Sequence, residues 1–303
     1  MDNRQNKKIK NKIHIGSYTF DVFLVILMIG ISIIMIYPFI NIIAISLSSS
    51  KMISMGVVTW WPKEFNFKGY EIVFGQNNVW IAYKNTIIYV LVGTTINLLL
   101  TSMIAYALML NDFVFRKPLT ILLLITMFFS GGTVPTYLAV QKFHMIDTLW
   151  ALVLPNAVSA YNVFVYRAFY RGISSEIREA AMVDGASNFR ILFRIYMPLS
   201  KALYATFGLF SAVAIWNNFF DALLYIKDSA KQPIQMILRQ ILFASGAAGG
   251  TFDGVSEMMQ KGIINPKNVQ YACIIATIGP ILLVYPFIQR YFAQGVQIGA
   301  VKG

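Results

Sequence analysis

The chain has 303 residues, of which 57% are hydrophobic and only 13% are charged, and its formal net charge is +12. An ordinary soluble domain has roughly a quarter of its residues charged, so this composition excludes the soluble classes and indicates a membrane protein. The basic residues fall between apolar runs rather than along one stripe, which argues against nucleic acid as a partner. The single cysteine, Cys273, excludes an internal disulfide framework and a CxxC metal or redox site.

The predicted elements begin with a basic tail, residues 1–19, and a charge-free run that follows it. This run is longer than the roughly 7 to 15 residues of a secretory signal core, and no small-residue cleavage pattern closes it promptly. We therefore predict a spanning helix. Further charge-free runs predict further spans, because an ionised side chain in mid-bilayer is expensive and a span needs about 20 apolar residues. The six predicted spans are about residues 20–45, 85–110, 118–141, 148–170, 199–223 and 268–290.

The orientation of these spans follows from the distribution of Lys and Arg, which are enriched in cytoplasmic loops. They concentrate in the N-terminal tail, in the short loop after span two and in the loop after span four, whereas the short loop after span three has only Lys142. An even number of spans also places both termini on one side. The prediction is an all-α membrane protein with a transmembrane domain at residues 20–293 and a tail at residues 294–303, both termini being cytoplasmic.

Two longer segments are predicted on the extracytoplasmic side. Residues 51–84 contain a pair of Trp residues, and we interpret them as a lobe with aromatic rings near the membrane interface. Residues 227–267 contain a Gly-rich tip at 245–254, which lacks the GK[ST] sequence of a phosphate-binding loop. Within span three, Gly131 and Gly132 serve either close helix packing or a bend that lines a pathway.

The loop after span four, residues 174–197, is the most informative stretch. Ser174 is a good N-cap and Gly185 can adopt the positive φ that ends a helix, so the sequence predicts two short helices here. An amphipathic helix pair on the membrane surface explains the charges, but it gives no reason for two consecutive alanines followed by a glycine. A small-residue surface lets a short helix enter a cleft on a protein partner, where Glu179 can meet a cation.

The spacing EAA-x3-G-x9-I-x-L-P, with Met197 in the Leu place, resembles the cytoplasmic coupling loop, or EAA motif, of binding-protein-dependent ABC importer permeases. The chain is similar to the second permease of maltose-type carbohydrate-uptake systems. In that family this loop docks on the ATP-binding subunit. The resemblance implies that the ATPase-coupling residues are Glu179, Ala180, Ala181, Asp184, Gly185, Arg190, Ile195 and Pro198.

The resemblance also implies the setting of the chain. It indicates a multi-pass protein of the bacterial cell membrane, in a heteromeric complex with a second homologous permease subunit, two ATP-binding cassette subunits and an extracytoplasmic solute-binding protein. The dipeptide GK does not occur in the sequence, so we expect no bound cofactor, with ATP and Mg in the partner ATPase subunit. The last residues, Val301, Lys302 and Gly303, resemble a tail that contacts the ATPase pair in this family.

The run FSGG-x-VPTY at residues 129–137, together with Asp221, resembles a subset of these permeases that imports oligosaccharides. Aromatic rings stack on sugars and amides pair with hydroxyls, although the same residues also suit an interface belt at a helix end. The predicted function is the permease subunit of an ATP-driven sugar importer that works by alternating access, with a non-sugar solute as the alternative. A membrane enzyme or a scaffold is less favoured, because the spans are essentially free of ionisable residues, and no metal site is predicted. The candidate substrate path is Tyr161, Asn162, Trp216, Asn217 and Asn218.

Overall fold

A computed structural model describes residues 15–244 and 263–300, and within these two ranges the chain is helical and contains no strand. The all-α class is therefore confirmed for this part of the chain. The helices are α1 (Ile15–Ser46), α2 (Ser50–Ser54), α3 (Lys68–Gly75), α4 (Asn77–Met109), α5 (Arg116–Phe128), α6 (Thr133–Lys142), α7 (Leu149–Val153), α8 (Ala160–Arg171), α9 (Ser175–Val183), α10 (Asn188–Ile191), α11 (Met197–Leu199), α12 (Lys201–Trp216), α13 (Phe220–Tyr225), α14 (Ile234–Ala244) and α15 (Pro266–Ala300).

Three of the described helices are long and apolar enough to cross a membrane, over Phe20–Ser46, Asn77–Met109 and Pro266–Val284. A fourth crossing results if Asn188–Leu199 and Lys201–Trp216, which are bent by 86° at a short break, form one span. Both counts rest on length and composition. These three or four candidate spans support a membrane protein. The number of six spans and the side on which the termini lie stay predictions.

The other predicted spans correspond to pairs of shorter helices. Residues 118–141 contain α5 and α6, which are separated at Gly131 and Gly132, and Gly132 has a φ of +84° that glycine adopts without steric cost. Residues 148–170 contain α7 and α8, with Pro155 between them. Because interrupted helices are tolerated at membrane depth only where protein or water satisfies the backbone, these breaks favour positions inside a bundle or along a cavity.

The first of two compact units spans Met1–Val73 and Gly254–Ile275. In this unit the side-chain nitrogen of Asn268 lies 3.1 to 3.2 Å from the carbonyl oxygens of Ile45, Ser46 and Ser48. The last carbonyls of a helix lack partners within the helix, so this amide caps the end of α1. Gly69 packs closely against it, and a Cβ at position 69 would lie 2.3 Å from the Asn268 side-chain oxygen.

The second unit, Phe74–Asp253 and Ala276–Gly303, is organised around α4, against which α8 and α12 pack. The packing of α4 on α12 is tight, because a Cβ at Gly93 would lie 2.7 Å from the Ile215 side chain. At the other end of α4, the largest fully buried side chains of this unit include Tyr166, Tyr170 and Tyr196. This aromatic core supports the loop between α8 and α12, while Gly93, in the middle of α4, borders a cavity with polar wall residues.

Candidate functional site

Helix α9 begins and ends at residues whose chemistry fits those positions. The Ser174 hydroxyl accepts a hydrogen bond from the Glu176 N–H at 3.3 Å, and a carboxylate in the first turn suits the positive end of the helix. At the other end, the Gly185 N–H donates to Met182 and the Ala186 N–H to Ala181. With Gly185 at φ +76°, this is a Schellman motif. The sequence therefore fixes both the length of α9 and the direction in which the chain leaves it.

Helix α10 is separated from α9 by four residues and leads into an irregular stretch. The Ser187 hydroxyl caps α10 by accepting from the Arg190 N–H at 3.4 Å. The chain then widens into a π-helical turn, Leu192–Tyr196, directly before Pro198. Proline lacks the N–H that an α-helix needs and crowds the preceding turn, which accounts for the local change of pitch. The 86° bend after Leu199 separates this segment from α12.

The loop exposes most of the residues predicted to couple to an ATPase. Ala181 and Ile195 are half-buried against the aromatic core, so they anchor the loop instead of facing outward. Beside the exposed residues lies an apolar patch whose most exposed side chain is Val183, at 89%, and apolar patches rimmed by polar residues mark interaction sites. The exposed coupling residues are Glu179, Ala180, Asp184, Gly185, Arg190 and Pro198, and the apolar patch is Ile177, Met182, Val183 and Phe189.

A cluster of tyrosines lies beneath this loop. Tyr170 on α8 and Tyr204 on α12 share hydrogen bonds with Ser102 on α4, and the two phenol oxygens are 2.5 Å apart. The rings of Tyr106 and Tyr196 meet edge to face, with centroids 5.2 Å apart. Edge-to-face pairs and hydrogen-bonded hydroxyls both restrict orientation, so this cluster joins α4, α8, α12 and the coupling loop in one packed core.

A cavity of about 420 Å³, lined by both polar and apolar side chains, opens beside the middle of α4. Asn97 on α4 contributes a side chain whose amide donates to the Ala157 carbonyl at 3.0 Å. The amides of Asn156 and Asn218 both donate to one carboxylate oxygen of Asp221, at 2.7 and 2.6 Å. The cavity wall is Gly93, Asn97, Leu152, Val153, Pro155, Asn156, Val158, Ser159, Asn162, Phe210, Ser211, Ala214, Ile215 and Asn218.

The five residues of the predicted substrate path do not lie together. Asn162 and Asn218 are on the cavity wall, whereas Tyr161 is 59% exposed and is not part of this wall. Trp216 is buried, and its indole N–H donates to the Thr277 carbonyl at 3.1 Å. Asn217 donates to the Val213 carbonyl and accepts from Gln235. These hydrogen bonds give Trp216 and Asn217 a structural role within the unit, and the substrate path of all five residues stays a prediction.

Sequence reasoning missed two amides of the cavity, Asn97 and Asn156. Asn97 lies in a predicted span among small and hydroxylated residues, a composition typical of close helix packing. Asn156 follows Pro155 in the break between α7 and α8. The sequence signal for Asn156 was the break between α7 and α8, because an interrupted helix at membrane depth indicates a site where protein or a water-filled cavity satisfies the backbone.

A second polar cluster joins the loop after α6 to the loop after α13. One Asp147 oxygen accepts from the backbone N–H groups of Lys227 and Asp228, at 2.6 and 2.9 Å, and the Lys231 amine donates to the Asp147 carbonyl at 3.1 Å. The hydrogen bond from the Asp228 N–H lowers the pKa of the Asp147 carboxyl below its ordinary value, and the Lys227 N–H and the Lys231 charge act in the same direction. The ionised Asp147 carboxylate therefore holds the loop before α7 to the loop after α13. We call this set of contacts the Asp147 clasp.

Two predicted features fall outside the described residues. These are the C-terminal residues Val301, Lys302 and Gly303 and the Gly-rich tip at 245–254. Within 15–244 and 263–300, no group of three or more His, Cys, Asp or Glu side chains is arranged to hold a metal ion.

Comparison with known proteins links this geometry to one family. The model of the family described as "Binding-protein-dependent transport system inner membrane component" matches residues 79–298. The chain is 36% identical over 284 residues, 94% of this chain and 98% of the relative, to the Polygalacturonan/rhamnogalacturonan transport system permease protein YtcP of Bacillus subtilis (strain 168). It is 39% identical over 284 residues, 94% of this chain and 95% of the relative, to Protein LplC of the same organism.

One solved structure is similar along almost its whole length. It is the crystal structure of a bacterial ABC transporter involved in the import of the acidic polysaccharide alginate. The similarity has a TM-score of 0.85 with 27% identity, and it covers 91% of this chain and 98% of that chain.

Proposed function

Because this chain belongs to the family of binding-protein-dependent transport system inner membrane components, we propose that it is the membrane permease subunit of an ATP-driven ABC importer for oligosaccharides. The family predicted from the spacing of residues 179–198 is thereby confirmed. Relatives named for polygalacturonan or rhamnogalacturonan transport and for alginate import support a carbohydrate solute. A transport subunit of this kind is expected to be non-catalytic, with ATP hydrolysed by a partner.

The observation that carries the proposal is the exposed coupling loop. Helix α9 presents Glu179 and Ala180 outward, and the turn at Gly185 places Asp184 beside them, while Ala181 is held against the core. An exposed helix with a thin small-residue surface and an apolar rim fits a cleft of about its own width on another protein. The chain itself contains no GK dipeptide and hence no P-loop, so this surface is the place where energy from a partner's ATP can enter.

The cavity beside the middle of α4 supports a sugar as the solute. Its volume of about 420 Å³ lies within the range of small-molecule sites, and its wall combines asparagine and serine side chains with apolar ones. Each amide can both donate and accept, which matches the hydroxyl groups of a sugar. A non-sugar solute with several hydroxyl or amide groups is the alternative, and the same transport assay distinguishes the two.

The proposed mechanism is alternating access. ATP closes the dimer of partner subunits, the coupling loop moves with the cleft that holds it, and the helix bundle opens outward to accept solute from the binding protein. The bundle requires a second homologous permease, two ATP-binding cassette subunits and the extracytoplasmic solute-binding protein. The six-span arrangement, the cytoplasmic termini and the tail contacts of residues 301–303 belong to the same proposal.

Reconstitution tests this function directly. The chain, its sister permease, the ATPase and the binding protein are assembled in proteoliposomes, and uptake and ATP hydrolysis are measured with neutral and acidic oligosaccharides and with non-sugar solutes. We expect saturable, ATP-dependent uptake of at least one oligosaccharide. Uptake confined to a non-sugar solute would favour the alternative, and no uptake of any solute by an assembled complex would overturn the proposal.

Charge reversal at the loop provides the matching variant. Glu179→Lys replaces an exposed carboxylate in the centre of the coupling surface, and we expect it to uncouple or disassemble the complex, because like charges within a closed cleft repel. Asp112→Lys, an equal charge change in the loop after α4, is the control and should retain uptake. Wild-type uptake by Glu179→Lys would contradict the assignment of α9 as the coupling helix.

A further inference from the structure

One tyrosine hydroxyl joins the coupling loop to α4. Tyr106 lies one turn before the end of α4 and is 4% exposed. Its hydroxyl donates to the Asn188 side-chain oxygen at 3.3 Å, and Asn188 is the first residue of α10. The guanidinium of Arg178, in the middle of α9, interacts electrostatically with the same hydroxyl. The Tyr106 hydroxyl is therefore bonded to α10 and attracted to a charge on α9.

The neighbouring hydroxyls serve a different purpose. Tyr170 and Tyr204 bond to each other and to Ser102, which ties α4 to α8 and α12 without reaching α9 or α10. Apolar contacts also hold the loop against the core, through residues such as Ala181 and Ile195. Apolar contacts are non-directional and tolerate sliding, whereas a hydrogen bond fixes distance and angle. Tyr106 is the directional contact between the loop and α4.

Arg178 shows that this contact has a cost. Its Nε atom is buried and has no hydrogen-bond partner among the described residues. A buried donor without a partner is unfavourable, and one that is retained at a particular place needs a reason. The electrostatic attraction between the guanidinium and the Tyr106 hydroxyl is such a reason, since it favours α9 close to α4.

Helix α4 continues without a break from Tyr106 to the cavity. Asn97, on the cavity wall, lies nine residues earlier in the same helix, a distance of about 14 Å along the axis. Gly93, one turn further, packs directly against Ile215 of α12, which is also on the wall. A displacement of the loop that is passed to Tyr106 therefore moves two wall positions with it.

We infer that Tyr106 is the positioning residue through which movement of the coupling loop reaches the solute cavity. Asn188 holds its hydroxyl from α10, and the unbroken helix α4 carries the displacement to Asn97. The inference rests on the proposed transport function. It assigns the transmission to a defined contact, so its removal should separate ATP hydrolysis from transport while the complex stays assembled.

The test is Tyr106→Phe in the reconstituted complex, with the ratio of solute transported to ATP hydrolysed as the readout. The substitution keeps the ring against Tyr196 and removes only the hydroxyl. We expect the ratio to fall about tenfold, since the hydrogen bond to Asn188 and the attraction to the Arg178 charge are lost together. Tyr204→Phe is the matched control: it removes a hydroxyl of the same core that does not contact the coupling helices, and it should lower thermal stability while leaving the ratio unchanged.

A purely structural role for Tyr106 makes a different prediction. In that case Tyr106→Phe reduces the amount of assembled complex, but each complex transports as many solute molecules per ATP as the wild type, and this result would overturn the inference. If Tyr106→Phe does not assemble, Asn188→Ala replaces it, because Asn188 is exposed. We expect a fall in the ratio of about threefold for one lost neutral hydrogen bond, and an unchanged ratio would contradict the inference.

A double-mutant cycle gives the final check. If Asn188 acts through Tyr106, the effect of Asn188→Ala is lost in a Tyr106→Phe background, whereas independent roles give additive effects. Failure of the wild-type complex to transport any solute would instead overturn the proposed function, and the two failures are therefore distinguishable.

Discussion

The proposed coupling loop and the proposed solute cavity are built in opposite ways. The loop is a continuous stretch of about two dozen residues, in which Ser174, Gly185 and Ser187 each satisfy a local backbone requirement. The cavity collects its polar atoms from distant parts of the chain, and the bond from Asn156 to Asp221 joins residues that are 65 positions apart. A partner's cleft recognises a local shape, whereas a solute needs groups that converge from several helices.

The largest expected effect on the coupling loop comes from Gly185→Val. At φ +76° a β-branched residue is strained by about 1 to 3 kcal/mol, and a Cβ there meets no atom of this chain within 4 Å, so within the chain only the backbone conformation is disturbed. We expect uptake to fall at least tenfold because the Schellman turn that directs α9 is lost. Uptake is measured per assembled complex in proteoliposomes.

The control for this prediction is Gly185→Asn, because asparagine tolerates the left-handed region. It should keep most of the uptake. Equal losses in the valine and asparagine variants would show that the glycine serves contact with the partner and not the turn.

Asp221→Ala tests whether the cavity holds the solute. Asp221 holds the amides of Asn156 and Asn218 through one carboxylate oxygen, so its removal frees both side chains at the cavity wall. We expect the half-saturation concentration of the solute to rise about tenfold. ATP hydrolysis in the absence of binding protein should stay at the wild-type level, because the coupling loop is untouched.

Asp221→Asn sharpens the result. Its amide oxygen can still accept both hydrogen bonds, so we expect a smaller rise in the half-saturation concentration than in Asp221→Ala. If Asp221→Ala lowered ATP hydrolysis without affecting the dependence on solute, the cavity would not be the place where solute is held.

The difference between the two regions also explains what could be predicted from the sequence. The caps and the turn of the coupling loop could be predicted, because Ser174 and Gly185 act on backbone groups within a few residues. The bend at Gly131 and Gly132, one of the two interpretations of these glycines, also depends on the local backbone. By contrast, Asn97 finds its partner 60 residues away, and its environment depends on how α4, α8 and α12 pack.

Tyr106 had no sequence signal at all. It lies in an apolar helix that contains other tyrosines, and its importance arises only when Asn188, 82 residues later, is brought to its hydroxyl. The predicted path residue Trp216 shows the converse case. Its type and position suit a sugar-stacking ring, but the fold turns its indole N–H to the Thr277 carbonyl and buries it. Interactions between residues close in sequence can be predicted from the sequence. Interactions between distant residues can be identified only from the folded structure.

The smallest expected effect concerns the Asp147 clasp, which depends on distant residues as the cavity does. The folded loops lower the pKa of the Asp147 carboxyl relative to the unfolded chain, mainly through the Asp228 N–H. Its contribution to stability is therefore complete above the unfolded-chain pKa, and it is lost as the pH falls through the lower folded-state pKa, in the window below about pH 4. Hydrogen exchange of the detergent-solubilised complex, corrected for intrinsic rates, measures this loss segment by segment.

We expect protection to decrease at 143–149 and 226–231 as the pH falls through that window. Asp147→Asn keeps an oxygen for the two N–H groups but cannot be protonated in this range, so it should remove the pH dependence of these two segments. The coupling loop, residues 174–197, has carboxylates of its own, including Glu176 in the first turn of α9, so its response to acid should be the same in wild type and Asp147→Asn. An equal acid-induced loss at 143–149 and 226–231 in both proteins would assign the effect to other carboxyl groups, and a changed response of the coupling loop in Asp147→Asn would show that the two regions are not independent.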